Sequence, residues 1–227
     1  MVEEGFLLEE TYWPNDDQWA GHYLLLTAYD DSIQTFTGQD TFVGADRKVT
    51  YQELDKNWRA FNRVFMLLYP PAQEETVISI LGSEWDPEVN RQAALETAQA
   101  EIEQDAQDVF AWFNLGSNLM YFERYEEAAE AYDEARRIGW PQRMLRYQFG
   151  PYISYFHSGR TEELLALVEY NLERITTNSE EAYIWRAWAL YRLGDSAGAV
   201  ESFRLAYESN YTSIDAKYGL DFMGAAP

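Results

Sequence analysis

The chain has 227 residues, 47% of them hydrophobic and 16% aromatic, enough to bury one large or two small cores and too apolar for a disordered chain. Thirty-nine Asp and Glu stand against 17 Lys and Arg, a formal net charge of -22. Residues 1–90 carry 17 acids and 5 bases and residues 91–227 carry 22 and 12, so no basic patch offers itself to phosphates and nucleic acid is excluded as a partner.

The absence of cysteine removes disulfides, thiolate zinc sites and a cysteine nucleophile from this chain. Two histidines far apart in sequence, His22 and His157, do not suggest a metal site, and neither metal nor cofactor is expected. No apolar run reaches the roughly 18 residues that span a bilayer. The acidic start, MVEEGFLLEE, lacks the basic and then apolar order of a secretion signal. No membrane insertion is expected, and the cytoplasm is the default location, although an upstream segment could export the chain.

Residues 1–72 read as β-rich. His22–Tyr29 is an apolar run ending at the turn composition Asp30-Asp31-Ser32, and residues 32–40 alternate as a half-buried hairpin partner should. Thr50-Tyr51-Gln52-Glu53 fits a capping box and opens a short helix through about Phe61. RVFMLLYPP, Arg63–Pro71, reads as a buried strand stopped by two prolines. Residues 73–107 read as a solvated connecting helix, started by Asp86-Pro87.

From Asp108 a unit of about 35 residues recurs. Its first copy carries Trp112, Leu115, Gly116, Leu119, Tyr125, Ala128, Tyr132, Ala135 and Pro141. Gly116 and Ala128 let two helices approach, while Trp112 and Tyr132 fill the space between hairpins. These offsets resemble tetratricopeptide repeats. The turn residues Glu123, Gly159 and Gly194 mark three copies. The third keeps Tyr183, Ala187, Leu190, Ala199, Phe203 and Ala206 and starts after the capping cluster Thr177-Asn178-Ser179. The second has Thr161, Leu164 and Asn171 where Tyr, Ala and Ala are usual, and Gly150-Pro151 should kink its first helix. A partial capping helix is expected after Ile214. The fold class expected is α+β: a small antiparallel sheet in residues 1–72, a connecting helix in 73–107, and an all-α repeat array in 108–227.

Two sets of candidate site residues follow. His22 and Asp40 lie at the outer ends of one hairpin, where an imidazole and a carboxylate would form the base-plus-orienter half of a triad. On spacing alone a structural ion pair is the commoner outcome. Phe113, Tyr121, Tyr155, Trp188 and Tyr191, on first helices of the hairpins, are candidates to line a peptide groove, although most aromatics at helical spacing are packing residues.

The order His22-Tyr23, apolar strand, turn, strand ending in Asp40, Gly44, then a helix with Leu54 and Trp58 and a final run to Tyr69-Pro70, resembles the carboxy-terminal half of bacteriocin-processing cysteine peptidases of the papain-like clan. The closest likeness is to bacterial peptidase-like proteins that carry tetratricopeptide repeats. The resemblance implies that His22 and Asp40 are triad members and that the cysteine nucleophile and oxyanion-hole Gln belong to an amino-terminal half this sequence does not contain. The expectation is therefore an interaction scaffold on tetratricopeptide repeats, attached to an incomplete peptidase-like domain and binding a protein or peptide. The alternative is part of a cysteine peptidase, active only when a Cys-bearing half is supplied.

Overall fold

The computed structural model describes residues 1–7, 19–174 and 179–226, without the side chains of 3–7. Four strands form one antiparallel sheet in sequential order: β1 (Val2–Leu7), β2 (Trp19–Asp30), β3 (Thr35–Asp40) and β4 (Gly44–Thr50). Near the turn, Asp30, Tyr29 and Ala28 face Thr35, Phe36 and Thr37. Thr27 is then bulged out, so that Leu26, Leu25 and Leu24 face Gly38, Gln39 and Asp40. A strand's side chains alternate, and one extra residue sends every later side chain to the other face. The bulge thereby puts His22, Leu24 and Leu26 on the face that carries Phe36, Gly38 and Asp40. Gly38 has no room for a side chain there, since a Cβ would stand 2.6 Å from Leu24 Cδ1.

Helix α1 (Tyr51–Trp58) closes this face. Thr50 Oγ1 accepts from the Glu53 N–H at 3.1 Å, while the Glu53 carboxylate pairs with Arg47 rather than completing the box. Val2, Leu24, Val49 and Leu54 are buried together. A 3₁₀ turn over Arg59–Phe61 then carries Ala60 and Phe61 into the helical part of the molecule.

Arg63–Pro71 is not the buried strand its composition suggested. Val64, Phe65, Met66, Leu67 and Leu68 are all exposed, Leu68 at 74%, and among the described residues the run makes one bridge, Phe65 opposite Val2. It lies beyond β1, at the sheet's outer edge, and the two prolines remove the backbone donors that would lengthen the pairing. The short helix α2 (Glu74–Leu81) that follows was not foreseen, and none of its residues is buried.

The region of the expected connecting helix holds α3 (Pro87–Gln104), capped by Asp86, whose Oδ1 accepts from the N–H groups of Glu88 and Val89. It is not simply solvated: Leu95 and Ala98 are buried, and α3 packs along α4 (Val109–Tyr121). Three hairpins follow, α4 with α5 (Tyr125–Ile138), α6 (Gly150–His157) with α7 (Thr161–Arg174), and α8 (Glu180–Arg192) with α9 (Ser196–Ser209), closed by α10 (Ile214–Phe222). Asp108 caps α4 by accepting from Phe110 and Ala111 N–H. At the α4–α5 crossing a Cβ on Gly116 would meet three carbons of the buried Tyr132 ring at 2.8–2.9 Å. That approach is why glycine stands there.

Gly150-Pro151 starts α6 instead of kinking it, because proline fits the first turn, where its missing N–H has no partner to lose. The residues before it form a 3₁₀ turn, Gln142–Arg146, so this first helix is only eight residues long. Asn171, in place of the usual Ala, donates to Tyr152 Oη at 2.5 Å, and Ser117 and Asp133 partner the hydroxyls of Tyr132 and Tyr155. Buried tyrosines thus find the polar partners they need. Ser179 caps α8 by accepting from Ala182 N–H; Thr177 and Asn178 lie outside the described residues.

One apolar cluster runs through both parts. Trp19, Ala60 and Phe61 are buried with Leu95, Phe113, Tyr132, Met144 and Leu145. Trp19 stacks on Phe61 at 5.4 Å between ring centroids, and Tyr147 meets both rings edge-on.

Candidate functional site

His22 and Asp40 occupy the inner face of the sheet one diagonal step apart, because Leu24 is the residue directly opposite Asp40 and His22 lies two residues on. His22 Nε2 stands 2.8 Å from Asp40 Oδ1. The same Oδ1 accepts the backbone N–H groups of Phe42 and Val43 at 2.7 and 2.9 Å, and Oδ2 accepts from Arg47 Nη1 at 2.8 Å. The carboxylate is fully buried, whereas the His22 side chain keeps 14% exposure. Burial pushes the Asp40 carboxyl up, but the Val43 N–H, the Arg47 guanidinium, the Phe42 N–H and the charge of His22 outweigh it and hold it at about 2.

Such a carboxylate stays ionised at neutral pH and can fix an imidazole by one nitrogen, the orienting role in a nucleophilic site. It also closes the β3–β4 turn. Arg47 and the two turn N–H groups were not foreseen; β4 is too polar to announce itself as a strand, so nothing in sequence linked Arg47 to Asp40. An open cleft of about 530 Å³ passes His22, bounded by Met1, Gly21, Tyr23, Leu25, Gln39 and Tyr147.

The groove candidates divide by burial. Phe113 is fully buried against Tyr132 and Trp140, and Tyr155 is fully buried with its hydroxyl on Asp133. Both are packing residues. Tyr121 is 41% exposed beneath the guanidinium of Arg91, 4.8 Å from its ring centroid. Trp188 is half-buried among Phe203, Tyr191 and Phe222, and Tyr191 is 40% exposed, 5.3 Å from the Phe222 ring.

The polar face of α4 is occupied by the chain itself. Asn114 Nδ2 donates to the Arg59 carbonyl at 2.8 Å, and Asn62 Nδ2 to Asn118 Oδ1 at 2.7 Å. Arg59 pairs with Asp108 and Glu101, and Gln148 donates to the Ala60 carbonyl. No peptide can lie along this part of α4 without displacing residues 59–62. A cluster of partly exposed aromatic rings lies at the other end, where Trp188 and Tyr191 of α8 meet Tyr218 and Phe222 of α10. Tyr218 and Phe222 are 61% and 50% exposed. Their i, i+4 spacing with Ile214 was the available signal for them.

The model of the tetratricopeptide repeat matches residues 111–137 and 180–212, the first and third hairpins, and passes over the degenerate second. Among solved structures, the chain is similar to a MamA RS-1 ArsTM double mutant, with 16% identity, a TM-score of 0.53, and coverage of 59% of this chain and 74% of that one. It is also similar to YrrB, described as a TPR protein with an unusual peptide-binding site, with 20% identity, a TM-score of 0.52, and coverage of 67% and 79%. No curated protein matches the chain. The first and third hairpins therefore match tetratricopeptide repeats in sequence, and the helical array is similar in fold to tetratricopeptide-repeat proteins.

Proposed function

We propose that the chain is a protein-interaction scaffold that presents its partner-binding surface on the third hairpin and α10 of a tetratricopeptide array, attached to a peptidase-like sheet without a nucleophile. The observation that carries this reading is the contrast between the two ends of the array: α4 is covered by residues 59–62, while Trp188, Tyr191, Tyr218 and Phe222 form a partly open aromatic shelf. YrrB, similar in fold, is described as binding peptide, which supports a peptide or protein ligand. The test is selection of a displayed peptide library on the chain and on Tyr191→Ala/Phe222→Ala. Enrichment by the native chain that the variant loses supports the reading; equal enrichment by both removes the shelf from it.

The His22–Asp40 bond favours a second reading, in which this chain supplies base and orienter to a Cys-bearing peptidase half on a separate or upstream segment. This chain contains no cysteine. Alone it should cleave nothing in a peptide-library digest that a cysteine-directed inhibitor blocks, and inhibitor-sensitive cleavage by the pure chain would count against both readings.

A further inference from the structure

The exposed run Val64–Leu68 has the composition of a buried strand and sits at a sheet edge. Met66 exchanges both backbone bonds with Met1: its N–H donates to Met1 O at 2.9 Å and its carbonyl accepts from the Met1 amine at 2.8 Å. Backbone groups alternate sides along an extended chain, so those of Phe65 and Leu67 are directed away from β1. Among the described residues, no backbone group pairs with them there. Beside this edge stands α2, an apolar helix with no buried residue, its Ile80 78% exposed. A cleft of about 460 Å³ opens next to it, with Trp58, Phe65, Leu81, Trp85 and Ala94 in its walls, wide enough for a large apolar side chain.

We infer that this edge takes an added strand from a partner polypeptide whose side chains are apolar toward the cleft and basic on the outside. The charge around it selects that chemistry. Residues 64–90 contain Glu74, Glu75, Glu84, Asp86 and Glu88 and no Lys or Arg. Two bases also line the cleft: Arg63, whose charge is offset by Asp55 and Glu101, and Arg91, which donates to Asn118 and lies over the Tyr121 ring. A second copy pairing edge to edge would bring these carboxylates against their own counterparts, and a bilayer of anionic lipid would be repelled in the same way. An open strand edge supplies main-chain bonds for affinity, while pockets and charge supply selectivity. Val64 is already bonded, its N–H to the Phe61 carbonyl and its carbonyl to Trp58 Nε1, and the prolines at 70 and 71 end the run, so the usable edge is Phe65–Leu67.

The experiment is fluorescence anisotropy with a labelled seven-residue peptide of alternating Lys and Val. The controls are the same pattern in Glu and Val, and the Lys–Val peptide with a central proline. The native chain should bind the Lys–Val peptide at least tenfold more tightly than either control. Leu67→Pro, which removes an outward donor, should weaken binding at least tenfold. Glu74→Lys/Glu75→Lys, on the exposed first turn of α2, should weaken it at least threefold with an unchanged melting temperature. The inference is overturned by no binding of the Lys–Val peptide, by equal binding of the Glu–Val peptide, or by undiminished binding in both variants. A concentration-dependent dimer of the native chain that Leu67→Pro abolishes would overturn it too, by making a second copy the occupant.

Discussion

His22 and Asp40 share a face of the sheet because Thr27 does not pair. Continued without the bulge, the register near the turn would set Asp40 opposite Leu25 and turn it away from His22. The same extra residue delivers Leu24 into the core beneath α1, so the geometry of the pair and the packing of the sheet come from one local irregularity.

Asp40 is accordingly more than a partner for His22. Asp40→Ala leaves the Phe42 and Val43 N–H groups without their acceptor, takes one of its carboxylate partners from Arg47, and should cost about 3 kcal/mol. Urea denaturation should show it as a lower midpoint. His22→Ala removes only one of these four bonds, and should cost less than half as much.

The acid limb of stability should also report on Asp40. Its folded-state value of about 2 lies below the ordinary 3.8, so its contribution is fully present above about pH 4 and is lost as pH falls toward 2. Melting temperatures of the native chain and Asp40→Asn, followed from pH 5 to pH 2, should converge as the pH drops. A gap that stays constant through that range would mean that the carboxylate's charge is not what stabilises the turn.

How much of this was legible in the residues varies with the physics. The hairpin repeats announce themselves because Gly116, Ala128 and Tyr132 answer a crossing that tolerates few alternatives, and Thr50 and Asp86 mark helix starts by local chemistry. His22 and Asp40 could be paired from the turn, but the bulge that makes the pairing work leaves no mark, since Thr27 is an ordinary strand residue. Val64–Leu68 misled because hydrophobicity reports a preference for burial and not the presence of a neighbour to provide it. Gly150-Pro151 reads as a kink only if the helix begins before it; the residues ahead of it form a 3₁₀ turn instead, so the proline falls in the first turn of α6.

Gly116→Ala should destabilise the array by about 1–3 kcal/mol, since the new methyl group would meet the Tyr132 ring and Tyr132 is itself enclosed. Chemical denaturation measures this directly. The double change with Tyr132→Leu should recover part of the loss, because the two sites are in contact and therefore not additive.

The sheet and the array should unfold together. Phe61 is 5% exposed and belongs to the same cluster as Phe113 and Tyr132, so Phe61→Ala should cost about 3–5 kcal/mol. Helical circular dichroism and tryptophan fluorescence should fall with one midpoint in the native chain and in the variant alike. A fragment beginning near Ala106 would expose the surface that Trp19, Ala60 and Phe61 cover, and should melt well below the full chain.

The scaffold reading is tested most directly by hydrogen–deuterium exchange on the chain saturated with a peptide selected from a displayed library. Slowed exchange should be concentrated in Glu180–Arg192 and Ile214–Phe222, with Val109–Tyr121 unchanged because residues 59–62 already cover it. Protection confined to Val109–Tyr121, or no change in α8 and α10 on saturation, would contradict the account.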